Sequence, residues 1–226
     1  MSSRLTSMEP GRGAATAPAM LRAFVALLRE HPELHVRALF GSPASPARLT
    51  GARLPPDLAR FYGHMDGTHV HWWWREAYES DASASGAITM PSLSRNLRGW
   101  TRADFFTDNK ERPALVRVPD EVPLARRDQF RPAWMDGDPS DDLLGLWDTA
   151  GDTFSDVTLQ GLDDYVAQGI QRLFMPGWTA LLTDFESPEV EARVVAARSR
   201  LGLDDGCFAR ALAVHLDREA QPSSES

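Results

Sequence analysis

Cysteine occurs once in the 226 residues, at Cys207, which excludes an intramolecular disulfide framework and every multi-cysteine zinc motif. That thiol sits beside Phe208 in an apolar helical pattern. It reads as an inert buried side chain, compatible with a reducing cytosol. Lysine also occurs once, at Lys110; the rest of the 24 basic residues are arginine, which we read as a bias of genome composition. Long apolar runs are missing too. The longest near the N-terminus, AFVALL after Arg22, is shorter than a signal-peptide core and lacks a well-placed small-residue cleavage site. No stretch approaches the roughly 20 apolar residues of a transmembrane helix, so a cytoplasmic protein without membrane contact is expected. Positive charge is in deficit, with 24 Lys and Arg against 32 Asp and Glu, a net of −8. Nucleic-acid binding needs clustered basic residues to neutralise phosphates, and no nucleic-acid partner is expected. The motifs GxSxG, HExxH, CxxC and GxGxxG are absent, so nothing asks for an enzyme or a cofactor.

What is present is ordinary for a globular domain with a core. Hydrophobic residues make up 42% and charged residues 25%, in a length that fits one large domain with appendages. The chain is organised around Leu54 to Trp74, LPPDLARFYGHMDGTHVHWWW. Pro55-Pro56 suits a helix start, because proline lacks the N–H that a first turn leaves unused. Asp57 then places a carboxylate at the positive end of the helix dipole. Leu58, Phe61, Tyr62 and Met65 recur at helical spacing and form one apolar face. Asp66-Gly67 ends the helix, with Gly67 free to turn left-handed. The period then changes to that of a strand. Val70, Trp72 and Trp74 share one face, and His69, His71 and Trp73 the other.

Elsewhere the pattern alternates between helix and short β runs. Residues 1–18 are rich in Ser, Gly, Ala and Pro and are expected to be a disordered tail, as are 219–226. Leu21, Phe24, Val25 and Leu28 give a helical face that ends near His31-Pro32. Gly41 to Arg53 reads as a connector and Glu76 to Ser85 as a loop. Strands are expected at 86–90, 114–118, 130–135, 143–147 and 156–159, with a weak helix or loop at 92–100. This spacing suggests an antiparallel sheet. Helical faces return at Leu162 to Leu173, at Trp178 to Phe185, after Ser187-Pro188, and at Phe208, Leu212 and Leu216. The fold class is α+β: a mainly antiparallel sheet flanked by helices, with a C-terminal helical extension.

LPPDLARFYGHMDG resembles the signature helix of the SUKH superfamily: LP, an acidic residue, an aromatic pair, then a polar residue and Gly. That superfamily includes fungal cell-wall-assembly regulators and bacterial immunity proteins of contact-dependent toxin systems. Asp66 stands where Asn is more usual. FRPAWMDGDPSDDLLGLWDTAGD, and then SDVTLQGLDDYVAQGIQRLF, is similar to the family's later order of strand, acidic turn, strand, strand and closing helix. The likeness covers about Leu21 to Phe174. It implies a SUKH-like domain at 19–175, with 176–218 as the extension, and a function in binding another protein.

Candidate chemistry is sparse. LWDTAGDTF (Leu146 to Phe154) looks like the DxxG segment of small GTPases, but no P-loop exists and Asn109-Lys110 precedes the motif instead of following it. A strand running into a turn is the better reading. His64, His69 and His71 could place two imidazoles on one metal ion, yet Asp66 is the only nearby carboxylate. Half-buried, hydrogen-bonded histidines without metal are expected. Trp72, Trp73 and Trp74 must cover both faces of a strand, so some are core, and Trp73 is the candidate partner anchor. His215 reads as a packing residue.

One charge feature stands out. From Asp136 to Asp164 there are nine Asp and no Lys, Arg or His. Residues 1–60 hold eight Arg against Glu9, Glu30, Glu33 and Asp57. A solvated face is one reading. A surface for a basic protein partner, such as a toxin domain, is the other, with Asp136, Asp138, Asp141, Asp142, Asp148 and Asp152 as its residues. Calcium is a third, but the spacing of DGDPSDD does not match an EF-hand loop. An immunity protein is the leading expectation. A regulatory or scaffold protein, or a small-molecule binder using the Trp-rich strand, is the alternative.

Overall fold

The computed structural model describes residues 16–52, 54–79, 81–98, 116–117, 130–135, 144–148, 153–183, 187–203, 209–210 and 213–214. Helix α1 (Ala17–Glu30) buries Leu21, Phe24, Val25 and Leu28, the face its periodicity predicts. Residues Ala17 and Pro18, which composition assigns to the tail, are already buried in its first turn. Strand β1 (Leu34–Phe40) follows, then the short helix α2 (Pro46–Gly51) inside the expected connector. Helix α3 (Pro56–His64) starts at the second proline, and strand β2 (Thr68–Trp74) comes after Gly67, which has φ +91°. Strand β3 (Ser85–Met90) and helix α4 (Leu93–Arg98) complete the first half. Strands β4 (Val116–Arg117), β5 (Phe130–Met135), β6 (Leu144–Asp148) and β7 (Thr153–Leu159) lead to helix α5 (Leu162–Gln171), a 3₁₀ turn (Trp178–Leu182) and helix α6 (Pro188–Arg200).

The fold is α+β. Every described strand pairing is antiparallel, in a three-stranded sheet β1-β2-β3 and a four-stranded sheet β4-β5-β6-β7. The strands thus fall into two sets where one sheet is expected. Of the WDTAG segment, Trp147 and Asp148 end β6, and the remainder lies outside the described residues.

Leu58, Phe61, Tyr62 and Met65 are 1% exposed or less and share one buried cluster with Val70 and Trp72. Tyr62 satisfies its hydroxyl inside that cluster, donating to the Pro91 carbonyl and accepting from Asn96. The inner face of β2 meets β3 at Gly86. A Cβ there would lie 2.1 Å from the Leu173 carbonyl oxygen and 2.5 Å from Trp72 Nε1, so only glycine fits. Trp72 Nε1–H donates to that same Leu173 carbonyl at 2.8 Å, and the Ala87 N–H donates to the Phe174 carbonyl. The turn after α5 is thereby fastened to β3.

The N-terminal ends of α1, α3 and α5 meet over two carboxylates. Asp57 in the first turn of α3 accepts from the Leu162 N–H at the start of α5. Asp163, one residue on, accepts from the Ala17 N–H at the start of α1, at 2.6 Å. Arg60 pairs with both acids. Burial pulls the Arg60 pKa down, but the charges of Asp163 and Asp57 outweigh it and the net shift is upward.

Helix α6 adds Val190, Val194 and Ala197 to the same cluster as α1 and α3. Its last residue, Arg200, stacks its guanidinium 3.9 Å from the Trp74 ring centroid and pairs with Glu33 and Glu76. Hydrogen bonding to Glu76, and then to Glu33, holds Arg200 above its ordinary pKa, and Glu76 is held below its own by the same contact.

Two stability measurements follow from this packing. Replacing Phe61 with Ala should cost about 3–5 kcal/mol, read as a lower urea midpoint. Asp57→Ala strands the Leu162 N–H and removes a partner of Arg60, and should cost about 1–3 kcal/mol. A midpoint unmoved by either substitution would contradict the assignment of these residues.

Candidate functional site

The period-2 alternation of β2 divides its side chains between two environments. Val70, Trp72 and Trp74 are buried in the core, while His69 and Trp73 on the opposite face are half-buried. Register completes that outer face. Antiparallel pairing with β1 sets His35 beside Trp73, Arg37 beside His71 and Leu39 beside His69. Pairing with β3 adds Ala87 and Thr89. The result is a face of imidazole, indole and guanidinium groups in which His71 is buried, His69 and Trp73 are half-buried, and His35 and Arg37 are exposed. Leu39 is 66% exposed within it.

The rings are in mutual contact. Trp73 lies 4.9 Å from His71 and 5.2 Å from His35 between centroids, with the Arg37 guanidinium carbon 5.6 Å from its ring centre. His69 Nδ1 shares a 2.8 Å hydrogen bond with Thr89 Oγ1 across the strands. Glu79, from the loop after β2, reaches onto the face. Its Oε1 accepts from Arg37 Nη1 at 2.7 Å and lies 3.6 Å from His71 Nδ1.

Of the residues expected to act, Trp73 lies on this outer face, unlike Trp72 and Trp74, which are core. Asp148 is half-buried at the end of β6, in register with Phe130 and Thr153. Asp136, Asp138, Asp141, Asp142 and Asp152 lie outside the described residues, as do Cys207, Phe208, His215 and Lys110.

The histidine trio does not converge. His69 and His71 are neighbours with rings 6.2 Å apart, but His64 is exposed at the end of α3. The Asp66 carboxylate is otherwise engaged, accepting from the Leu93 N–H at the start of α4 and from Arg48. Among the described residues no group of three or more His, Cys, Asp or Glu side chains is placed to hold a metal ion.

His35, Arg37, Leu39 and Glu79 are absent from the sequence-based expectation. Their signal was the alternation of Leu34, Val36, Ala38 and Phe40, which marks β1 as a strand with His35, Arg37 and Leu39 facing the other way. Glu79 has no such signal, since a loop carries no period.

The described residues form an α+β fold in which Arg37 and Leu39 are exposed on one face of the three-stranded sheet. The chain matches no family model, no curated protein and no solved structure. Among the described residues no helix is long and apolar enough to cross a membrane.

Elemental analysis of the purified protein should find no stoichiometric zinc, because His69 and His71 supply two ligands where a closed site needs four. One zinc per chain, lost on changing both histidines to Ala, would refute this.

Proposed function

We propose that this chain is a non-catalytic protein-binding module, and that it serves as a SUKH-type immunity protein which neutralises a toxin by binding and occluding it. The observation that supports binding is the outer face of β1-β2-β3, where Trp73, Arg37 and Leu39 stand at a surface while the opposite side of the same strands is core. The resemblance of the α3 segment to the SUKH signature supplies the biological setting, which is a cytoplasmic one. The acid-rich stretch from Asp136 to Asp164 supplies the partner's charge, because a toxin that grips phosphate presents positive groups. Occlusion requires no reacting group on the inhibitor.

A second reading, a small-molecule binder of the same fold, is favoured by the ring-on-ring packing of Trp73 with His35 and His71. A regulatory or scaffold role would use the same surfaces on a different partner.

Co-purification tests the main reading. The tagged protein should retain the C-terminal domain of a large toxin encoded beside it, and failure to do so would remove the immunity assignment. Stopped-flow mixing of the two then tests the charge. Changing Asp136, Asp138, Asp141 and Asp142 to Asn should slow association more than it speeds dissociation. Electrostatic steering is worth roughly 10–1,000-fold in on-rate and fades with salt. An on-rate indifferent to both salt and the four substitutions would leave the acidic stretch as a solvated face.

A further inference from the structure

We propose that the outer face of β1-β2-β3 docks an acidic segment of a protein partner, and that Glu79 holds the carboxylate position in the free chain. This goes beyond the immunity reading and does not rest on it, because it concerns different residues and the opposite charge.

Four observations carry it. First, β1 and β2 contribute Arg37, His35, His69 and His71 to this face and no carboxylate at all, in a chain whose net charge is −8. Second, a carboxylate oxygen already sits there. Glu79 Oε1 accepts from Arg37 Nη1 at 2.7 Å and lies 3.6 Å from His71 Nδ1, two nitrogens brought together by strand register.

Third, that carboxylate is replaceable. Both Arg37 and Glu79 are about half exposed, with side-chain exposures of 56% and 45%, and an ion pair so exposed adds only about 0–1 kcal/mol. Glu79 also comes from a loop whose neighbour, Tyr78, is 85% exposed. A partner's Asp or Glu can therefore take the place of Glu79 at Arg37 with little loss to the fold.

Fourth, an anchor stands beside the charge. The Arg37 guanidinium packs near the Trp73 ring while Nη1 is turned to a carboxylate, and exposed Leu39 lies two residues along the same strand face. An acidic residue flanked by apolar ones matches this arrangement, and a basic segment would meet Arg37 unfavourably.

The test uses the full chain, labelled with ¹⁵N, titrated with an acetylated, amidated octaglutamate peptide at low salt. Saturable shifts of the Trp73 indole N–H are expected, the resonance being assigned with Trp73→Phe. Arg37→Glu should weaken binding by at least about 10-fold, since it sets like charges together. Should that variant lose its fold, Arg37→Gln serves in its place and must also bind more weakly. Glu79→Gln removes the internal competitor and should bind about 2–5-fold tighter, the fold-change that corresponds to an exposed ion pair.

The sign of the Glu79 effect is decisive. Weaker binding in Glu79→Gln would show that Glu79 merely supports the face, and would overturn the proposal. So would the absence of saturable shifts, or shifts that survive loss of Arg37. Concentration-dependent self-association without peptide, abolished by Arg37→Glu, would assign the face to a second copy instead.

Discussion

Two carboxylates, Asp57 and Asp163, carry the constraint on which the arrangement of helices depends. Each helix N-terminus exposes N–H groups without intrahelical partners and carries partial positive charge. Bringing the starts of α1, α3 and α5 together would leave donors unmet and like dipole ends in contact. Asp57 meets the Leu162 N–H and Asp163 meets the Ala17 N–H, while Arg60 bridges the two acids. The contacts span 105 and 146 residues of sequence, so they close the fold from both ends. The acidic residue of the LPPD segment has a structural reason to be acidic.

How much of this was legible depends on element length and period. The α3–β2 unit could be read because nine helical and seven strand residues each keep a clean period, with a proline start and a glycine stop. Strand β1 was not read, although Leu34, Val36, Ala38 and Phe40 alternate. Leu39 is apolar but faces outward, and it blurs the pattern at the strand's end. Helix α2 has six residues and none buried, so no periodicity could mark it. The helix dipole marks Asp57 as a helix-start residue, but nothing local names Leu162 as its partner. Long-range pairing is set by packing, not by neighbouring residues.

The surface follows the same rule. That His69, His71 and Trp73 share a face is a property of one strand and follows from period 2 alone. That Arg37 stands beside His71, and His35 beside Trp73, depends on the register between two strands separated by α2 and α3. Asp66 shows the reverse case. Proximity in sequence suggested a metal ligand beside His64 and His69, yet the chain turns its carboxylate onto the start of α4. A buried or half-buried carboxylate is taken up by the nearest unmet donors, and here those are a backbone N–H and Arg48.

The division of charge along the chain has a physical consequence for how such a surface works. An acid-rich stretch acts at range, over about one Debye length of roughly 8 Å at physiological salt, and so governs encounter. In the proposed interaction the outer sheet face acts only at contact, through the Arg37 guanidinium near the Trp73 indole and a carboxylate held at 2.7 Å. Stability alone does not account for that face, because an exposed Arg37–Glu79 pair adds little and an apolar strip under a helix would add more. On the outer face Trp73 is half-buried and Arg37 of the neighbouring strand is exposed, whereas Trp72 and Trp74 are buried on the other side of β2. Aromatic and arginine side chains concentrate binding energy in protein interfaces, and the proposed contact is placed where Trp73 and Arg37 lie side by side.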